Sequence, residues 1–210
     1  MIDFAAAADR QADQCLFDAI RAFVAAHDHP GVVRFQEVMG HWGGAWRAVA
    51  PKHLPASDIL AQALAASRPD TAAIVSLFVE HRATRKWEQS YTRADAVVGE
   101  DMLAGYGFAE VVGPHGPFLS TRVRAGIGVW GPNIVYPPHR HRAEETYIIV
   151  AGAAAFLLGE GAEATASKRV VGDVVHVPSM TTHGFRTRDD PVLILYLWQG
   201  SDLREKSSFG

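Results

Sequence analysis

Residues 136–152, YPPHRHRAEETYIIVAG, carry the pattern from which both the fold and the chemistry of this chain can be read. His139, His141, Glu145 and Tyr147 are all odd-numbered. In an extended strand that puts them on one face, because side chains alternate sides with period two. Ile149 continues the face in apolar form, as the inner wall of a β-structure should. Glu144 has the opposite parity and reads as a solvated or salt-bridged neighbour. Two imidazoles and a carboxylate on one side of a strand make three arms of a metal site. A fourth arm must come from another segment, and His183 offers it at the end of a second glycine-bounded hairpin, residues 172–185, GDVVHVPSMTTHGF. Burying three imidazoles and a carboxylate together is costly without a compensating ion. Three neutral imidazoles and one carboxylate around a divalent ion leave a net charge near +1 and open coordination positions, which suits a carboxylate-bearing substrate. Mixed N/O ligation is compatible with one divalent transition ion: Fe, Mn, Co, Ni or Zn. His176 has the wrong parity for this site, and His115, in the loop GPHGPF, reads as solvated.

Outward from this segment the pattern is of short Val/Ile/Leu-rich runs separated by Gly, Pro and Asp. They lie near 119–130, 133–136, 144–150, 153–158, 163–171, 173–177, 182–187 and 191–198, the spacing of a small antiparallel barrel or jelly roll. The first hundred residues read differently. Leu16, Phe17, Ile20, Phe23 and Val24 make a helical stripe between Asp9 and His27, which Pro30 and Gly31 should end. A second, weaker helical segment starts near Val32 and uses Phe35, Val38, Met39, Trp42 and Trp46, interrupted by Gly40, Gly43 and Gly44. Ser57 is placed to cap a short helix through Ala66, and Pro69 to open another with Ile74, Leu77 and Phe78 on one side. His41 and His81 fall in these stripes and read as packed or surface histidines. The expected class is therefore α+β: an N-terminal helical segment, 1–106, packing on a β-barrel, 107–210. The stretch 87–99, WEQSYTRADAVVG, reads as a polar connector.

Composition sets the limits. Of 210 residues, 48% are hydrophobic and 20% charged, enough for one substantial core. A formal charge of −3 gives no basic excess for nucleic acid. The single cysteine, Cys15, excludes an intrachain disulfide framework, fits a reducing compartment and, among Leu16, Phe17 and Ile20, reads as a buried thiol. No export signal is visible at Met1–Ala8, and no apolar run approaches the roughly 20 residues a membrane span needs. The expected location is the cytoplasm, with no nucleic-acid or membrane partner and a homodimer left open.

The two histidine segments resemble the cupin motifs. His139, His141, Glu145 and Gly152 match motif one at its spacing, and Gly172, Pro178 and His183 match motif two. The chain departs at Met180, where glycine is common, and at Thr187, where asparagine is usual. Beyond the motifs, WEQSYTRAD (87–95), YGFAEVVGPHGPF (106–118), VWGP (129–132) and HRHRAEETY (139–147) resemble the cupin-type dimethylsulfoniopropionate (DMSP) lyases of marine bacteria. That resemblance implies metal ligation by His139, His141, Glu145 and His183, with Tyr147 as catalytic base and Tyr136 assisting. It implies cleavage of DMSP, a small zwitterion, to dimethyl sulfide and acrylate by β-elimination. The sulfonium needs a cation-tolerant pocket, and aromatic faces supply about 0.5–2 kcal/mol each. Trp130, Tyr136, Tyr196 and Trp198 are candidates for it, and Trp130, Tyr196 and Trp198 read equally as core packing. Two other readings remain: a different metal-dependent cupin enzyme, such as a dioxygenase or isomerase, which would not specifically need Tyr147, or a non-catalytic small-molecule-binding cupin.

Overall fold

The computed structural model describes residues 4–42, 44–161 and 164–209. Met1–Asp3, Gly43 and the start of the strand expected from 163 lie outside the described residues, as does the side chain of His41. The helical stripe forms α1 (Phe4–Ala25), which buries Leu16, Phe17, Ile20 and Val24. Cys15 is exposed, against expectation. It precedes Leu16 by one position, and the 100° step of a helix carries it off the buried stripe. Pro30 opens a helix rather than ending one. It sits in the first turn of α2 (Pro30–Gln36), and His29 Nδ1 caps that helix by accepting from Gly31 N at 3.0 Å. Ser57 also departs from its expected role. It lies inside a 3-10 turn, Pro55–Ile59, where its hydroxyl donates to the Leu54 carbonyl at 2.7 Å. That turn leads into α3 (Leu60–Ala63), and α4 (Pro69–Glu80) begins at its proline as expected. The last helix is α5 (Glu100–Gly105).

The strands are β1 (Trp87–Glu88), β2 (Tyr106–Gly113), β3 (Phe118–Leu119), β4 (Val123–Trp130), β5 (Val135–Arg140), β6 (Glu144–Ala151), β7 (Ala153–Leu158), β8 (Thr165–Val170), β9 (Val174–Val177), β10 (His183–Arg186), β11 (Val192–Gln199) and β12 (Ser208–Phe209). They form two sheets, the two layers of the cupin jelly roll. One has the order β1-β2-β4-β11-β6-β9, with β3 added beside β2, and the other runs β12-β5-β10-β7-β8. Every pairing is antiparallel except β2 with β3. Besides the two-residue strands β1 and β12, which no expected run covers, two longer strands differ from the sequence reading. The glycine-flanked YGFAEVVG is β2, a strand the hydrophobic runs did not single out. β5 continues through Pro137 and Pro138, where the prolines suggested an end at 136. The register between β5 and β10 shifts between His183 and Phe185, and β12 pairs only with His139 and Arg140. The prolines therefore sit at an irregularity with few ladder donors required of them.

The larger sheet is buried on both faces. Leu193, Leu195 and Leu197 of β11 join Ile148 and Val150 of β6 in a core shared with α1, α2 and α4. Val192, Ile194 and Tyr196 point the other way, into a second core between the sheets with Tyr106, Trp130, Tyr147 and Phe185. A strand covered on both sides should be apolar at nearly every position, and VLILYLW is. The connector 87–99 is less polar in place than in composition, since Trp87 and Tyr91 are both fully buried. Tyr91 belongs to the core between the sheets. No helix among the described residues is long and apolar enough to cross a membrane.

Candidate metal centre

The inter-sheet space is where the four candidate ligands meet. His139 ends the ladder of β5 directly opposite His183, the first residue of β10. His141 lies just past β5, and Glu145 comes from β6 of the other sheet. All four side chains are buried. One nitrogen from each of His139, His141 and His183 falls within 4.8 Å of the others. Glu145 Oε2 is 2.9 Å from His141 Nε2 and 3.4 Å from His183 Nε2.

Backbone carbonyls orient the rings. Nδ1 of His139 meets Pro137 O at 2.9 Å, Nδ1 of His141 meets Ala143 O at 2.8 Å, and Nδ1 of His183 meets Thr181 O at 2.9 Å. A carbonyl can only accept, so each Nδ1 carries a proton, and each Nε2 is left to present a lone pair to a metal or, without one, a proton to Glu145. Those lone pairs converge on one another and on an anionic carboxylate. Acceptors facing acceptors in a dry site is an arrangement that a cation resolves, and the carbonyl-anchored imidazole is the usual outer support of a metal ligand. The residues fit a metal site. Burial works against the Glu145 charge, but hydrogen bonds and charge from His141 and His183 outweigh it and hold the carboxyl below the usual range. Burial, and then the neighbouring His183, push His139 down to about 3, so it is neutral at pH 7. His139 and Glu145 are thus both in the protonation state that binds a metal.

Beside this cluster lies a narrow cleft of about 40 Å³. Trp130, Tyr136, Tyr147, Tyr196 and Trp198 line it together with Glu145, and Ser90, Phe108 and Arg124 complete the wall. Tyr147 Oη is 3.3 Å from His183 Nε2, and burial followed by the Glu145 charge raises its phenol well above 10. The Tyr136 ring centre is 4.7 Å from His139 and 5.2 Å from Trp130. Trp198 stacks on His141 at 4.1 Å. Tyr196 lies opposite Tyr147 in the ladder of β11 with β6. A wider groove by Ala153–Ala155 and Arg186–Asp190 contains none of the candidate ligands.

Residues outside the cluster sort as their parity predicts. Glu144 pairs with Arg34 and lies 3.5 Å from His176, whose Nδ1 meets Thr146 Oγ1 at 3.1 Å. His115 is half-buried rather than fully solvated. Thr187 fills its position by donating to Gly131 O at 2.6 Å and accepting from Ile134 N at 2.8 Å, which ties the β4–β5 turn to the end of β10.

Four residues at the site escaped the sequence reading: Ser90, Tyr91, Phe108 and Arg124. Tyr91, from the connector, lies 5.9 Å ring to ring from Tyr136 and 6.2 Å from His139. An aromatic four positions after Trp87 in a polar run was its signal. Arg124 shares the parity of Trp130 in VRAGIGVW, and a charge on the inward face of a strand was the signal there. Two glycines of that parity, Gly126 and Gly128, leave space for the Tyr196 hydroxyl and the Trp130 ring.

Comparison with known proteins identifies the family and the fold. The family model for dimethylsulfoniopropionate lyase matches residues 41–194. Dimethylsulfoniopropionate lyase DddQ of Ruegeria pomeroyi is 34% identical over 158 residues, covering 72% of this chain and 73% of the relative. The crystal structure of DMSP lyase DddQ from R. pomeroyi DSS-3 superposes with a TM-score of 0.82 at 28% identity, over 95% of this chain and 96% of that one. A chain from crystal structures of the DMSP lyases RdDddP and RnDddQII gives a TM-score of 0.85 at 29% identity, over 96% and 99%.

Proposed function

The chain belongs to the dimethylsulfoniopropionate lyase family, and from that premise we propose that it cleaves DMSP to dimethyl sulfide and acrylate, with Tyr147 as the base. The observation that carries this reading is the position of Tyr147 Oη, inside the cleft and 3.3 Å from His183 Nε2. A generic metal centre of three histidines and a carboxylate has no need of a phenol there. His139, His141, Glu145 and His183 would hold one divalent transition ion, Fe, Mn, Co, Ni or Zn. When bound, that ion polarises the substrate carboxylate and offsets the Glu145 charge that otherwise raises the Tyr147 phenol.

The remaining work falls to side chains. Tyr147, as phenolate, removes the α-proton. As the Cα–H bond breaks, its electron pair forms the Cα–Cβ double bond, and the Cβ–S pair leaves with sulfur as neutral dimethyl sulfide. The proton resides on Tyr147 Oη, next to His183. Tyr136, buried beside His139, assists at the substrate and helps keep water from the cleft. Trp130, Tyr196 and Trp198 supply the aromatic walls. The test is headspace dimethyl sulfide from metal-loaded protein incubated with DMSP. Release is expected, and no release with any of the five metals would defeat the proposal.

A further inference from the structure

We propose that Arg124 binds the carboxylate oxygen of the ligand that is turned away from the metal centre, with Tyr196 Oη and Trp198 Nε1 as co-donors, and so fixes how the negative group is oriented in the cleft. The inference deepens the lyase reading and rests on the cleft being its substrate site. Arg124 lies level with Trp198 in the β4–β11 ladder, and Trp198 lies level with Glu145 in the β11–β6 ladder. Arg124, Trp198 and Glu145 therefore form one row across three strands, and Arg124 and the metal centre flank Trp198. The guanidinium is held firmly. Its Nε pairs with Glu110, whose other oxygen accepts from His115 N at 2.6 Å and Gly116 N at 2.7 Å. Its side chain is only 12% exposed.

A structural clasp for the 113–117 loop would explain Glu110 and Arg124 Nε. It leaves four donors without a purpose. Both Nη groups of Arg124 lack a hydrogen-bond acceptor among the described residues. Tyr196 Oη and Trp198 Nε1 are buried and have no partner either. A buried donor without a partner is costly, and Tyr196 Oη and Trp198 Nε1 are two such donors beside the Arg124 fork. Their gathering at one end of a cleft calls for an acceptor-rich ligand, and a carboxylate is the acceptor group of the proposed substrate. The sulfonium is excluded from that end. The Arg124 guanidinium already lies 5.1 Å from the centre of Phe108, 5.2 Å from Trp198 and 6.0 Å from Tyr196. A second cation there would meet like charge on rings already engaged. Trp130 and Tyr136, cleft rings that the guanidinium does not cover, are left for it.

The test is binding to the metal-loaded protein, read by quenching of tryptophan fluorescence. Acrylate probes the carboxylate end, and trimethylsulfonium, which has no carboxylate, probes the other. Arg124→Met should weaken acrylate about 10- to 100-fold, the value of a hydrogen bond to a charged group, with metal content and trimethylsulfonium affinity unchanged. Arg124→Lys keeps the charge but loses the planar fork and should fall between. Should Glu110 left unpaired unfold the first variant, Arg124→Met with Glu110→Gln removes both charges and should show the same loss. Tyr196→Phe, which removes a hydroxyl without a protein partner, should cost several-fold in acrylate alone. Acrylate affinity within twofold of native in the double variant overturns the proposal, as does a parallel loss of trimethylsulfonium. Dimethyl sulfide release is measured separately. A native protein that binds acrylate through Arg124 but releases no sulfide would sink the lyase reading and leave this one standing.

Discussion

Tyr147 Oη and His183 Nε2 stand 3.3 Å apart across the space between the two sheets. The phenol comes from β6 of one sheet and the imidazole from the first position of β10 in the other. One contact therefore reports both the docking of the sheets and the adjacency of the proposed base to the ligand cluster. It also sets two proposed roles side by side, His183 as a metal ligand and Tyr147 as the base.

Tyr147→Phe should lower dimethyl sulfide release by about 10²–10⁴-fold, the usual worth of a positioned general base. Metal content should not change, because the phenol is not among the four converging ligand groups. Metal analysis and headspace chromatography on the same preparation decide it. A variant with full activity would remove Tyr147 from the mechanism.

His183→Ala should have the opposite signature. It removes one of three clustered nitrogens and a partner of Glu145. The metal-to-protein ratio after dialysis should drop sharply, with activity falling alongside. A ratio equal to that of the native protein would mean that the site closes without β10.

The metal-free protein should weaken in acid. His139 stays neutral in the fold down to about pH 3, whereas in the unfolded chain it takes a proton near 6.5. Across that window the unfolded state binds more protons, so stability falls as pH falls, by at most about 1.4 kcal/mol per pH unit for one group. Glu145 acts in the same direction. Its folded pKa lies below the ordinary 4.5, so its contribution is present above that value and is lost as pH drops through the folded pKa. Urea midpoints at pH 7, 5.5 and 4.5 should decline in order, and His139→Gln should flatten the upper part of the decline. An unchanged slope in that variant would refute the assignment.

The metal motif was legible because parity in a strand is a local property. His139, His141, Glu145 and Tyr147 needed only period two, and motif spacing added His183. What stayed hidden depended on partners distant in sequence. β5 runs on through Pro137 and Pro138 because a register shift against β10 accommodates them, and nothing in YPPHRH announces that shift. Tyr91 reaches the site because a chain that looks polar folds under the sheet edge. Cys15 shows the limit of reading neighbours in sequence as neighbours in space, since one helical position separates an exposed thiol from a fully buried leucine.

Gly128 opens the wall of the cleft. A Cβ at this position would come within 2.4 Å of Trp130 Cζ3, so Gly128→Ala must displace the indole. Overpacking of this kind costs about 1–3 kcal/mol. The Michaelis constant for DMSP should rise several-fold and tryptophan emission should shift, with metal content retained. If both stay at their native values, Trp130 does not shape the site.

Met180 holds a left-handed backbone, φ 60°, at the position where the cupin motif commonly carries glycine. The turn is functional in its geometry: Met180 N donates to His141 O at 2.9 Å and Thr181 N to Pro178 O at 3.1 Å, which sets the approach of β10 to the ligands. Its side chain is 48% exposed and contributes little burial to offset the strain. A non-glycine residue in this region costs about 1–2 kcal/mol, against about 0.5–1 kcal/mol for the extra freedom glycine gives the unfolded chain. Met180→Gly should therefore stabilise the protein by up to about 1 kcal/mol, seen as a rise of about 2–4 °C in thermal midpoint. Met180→Val, β-branched at positive φ, should lower it and loosen metal binding through the His141 carbonyl. A destabilised glycine variant would show that the methionine side chain packs for more than its exposure suggests.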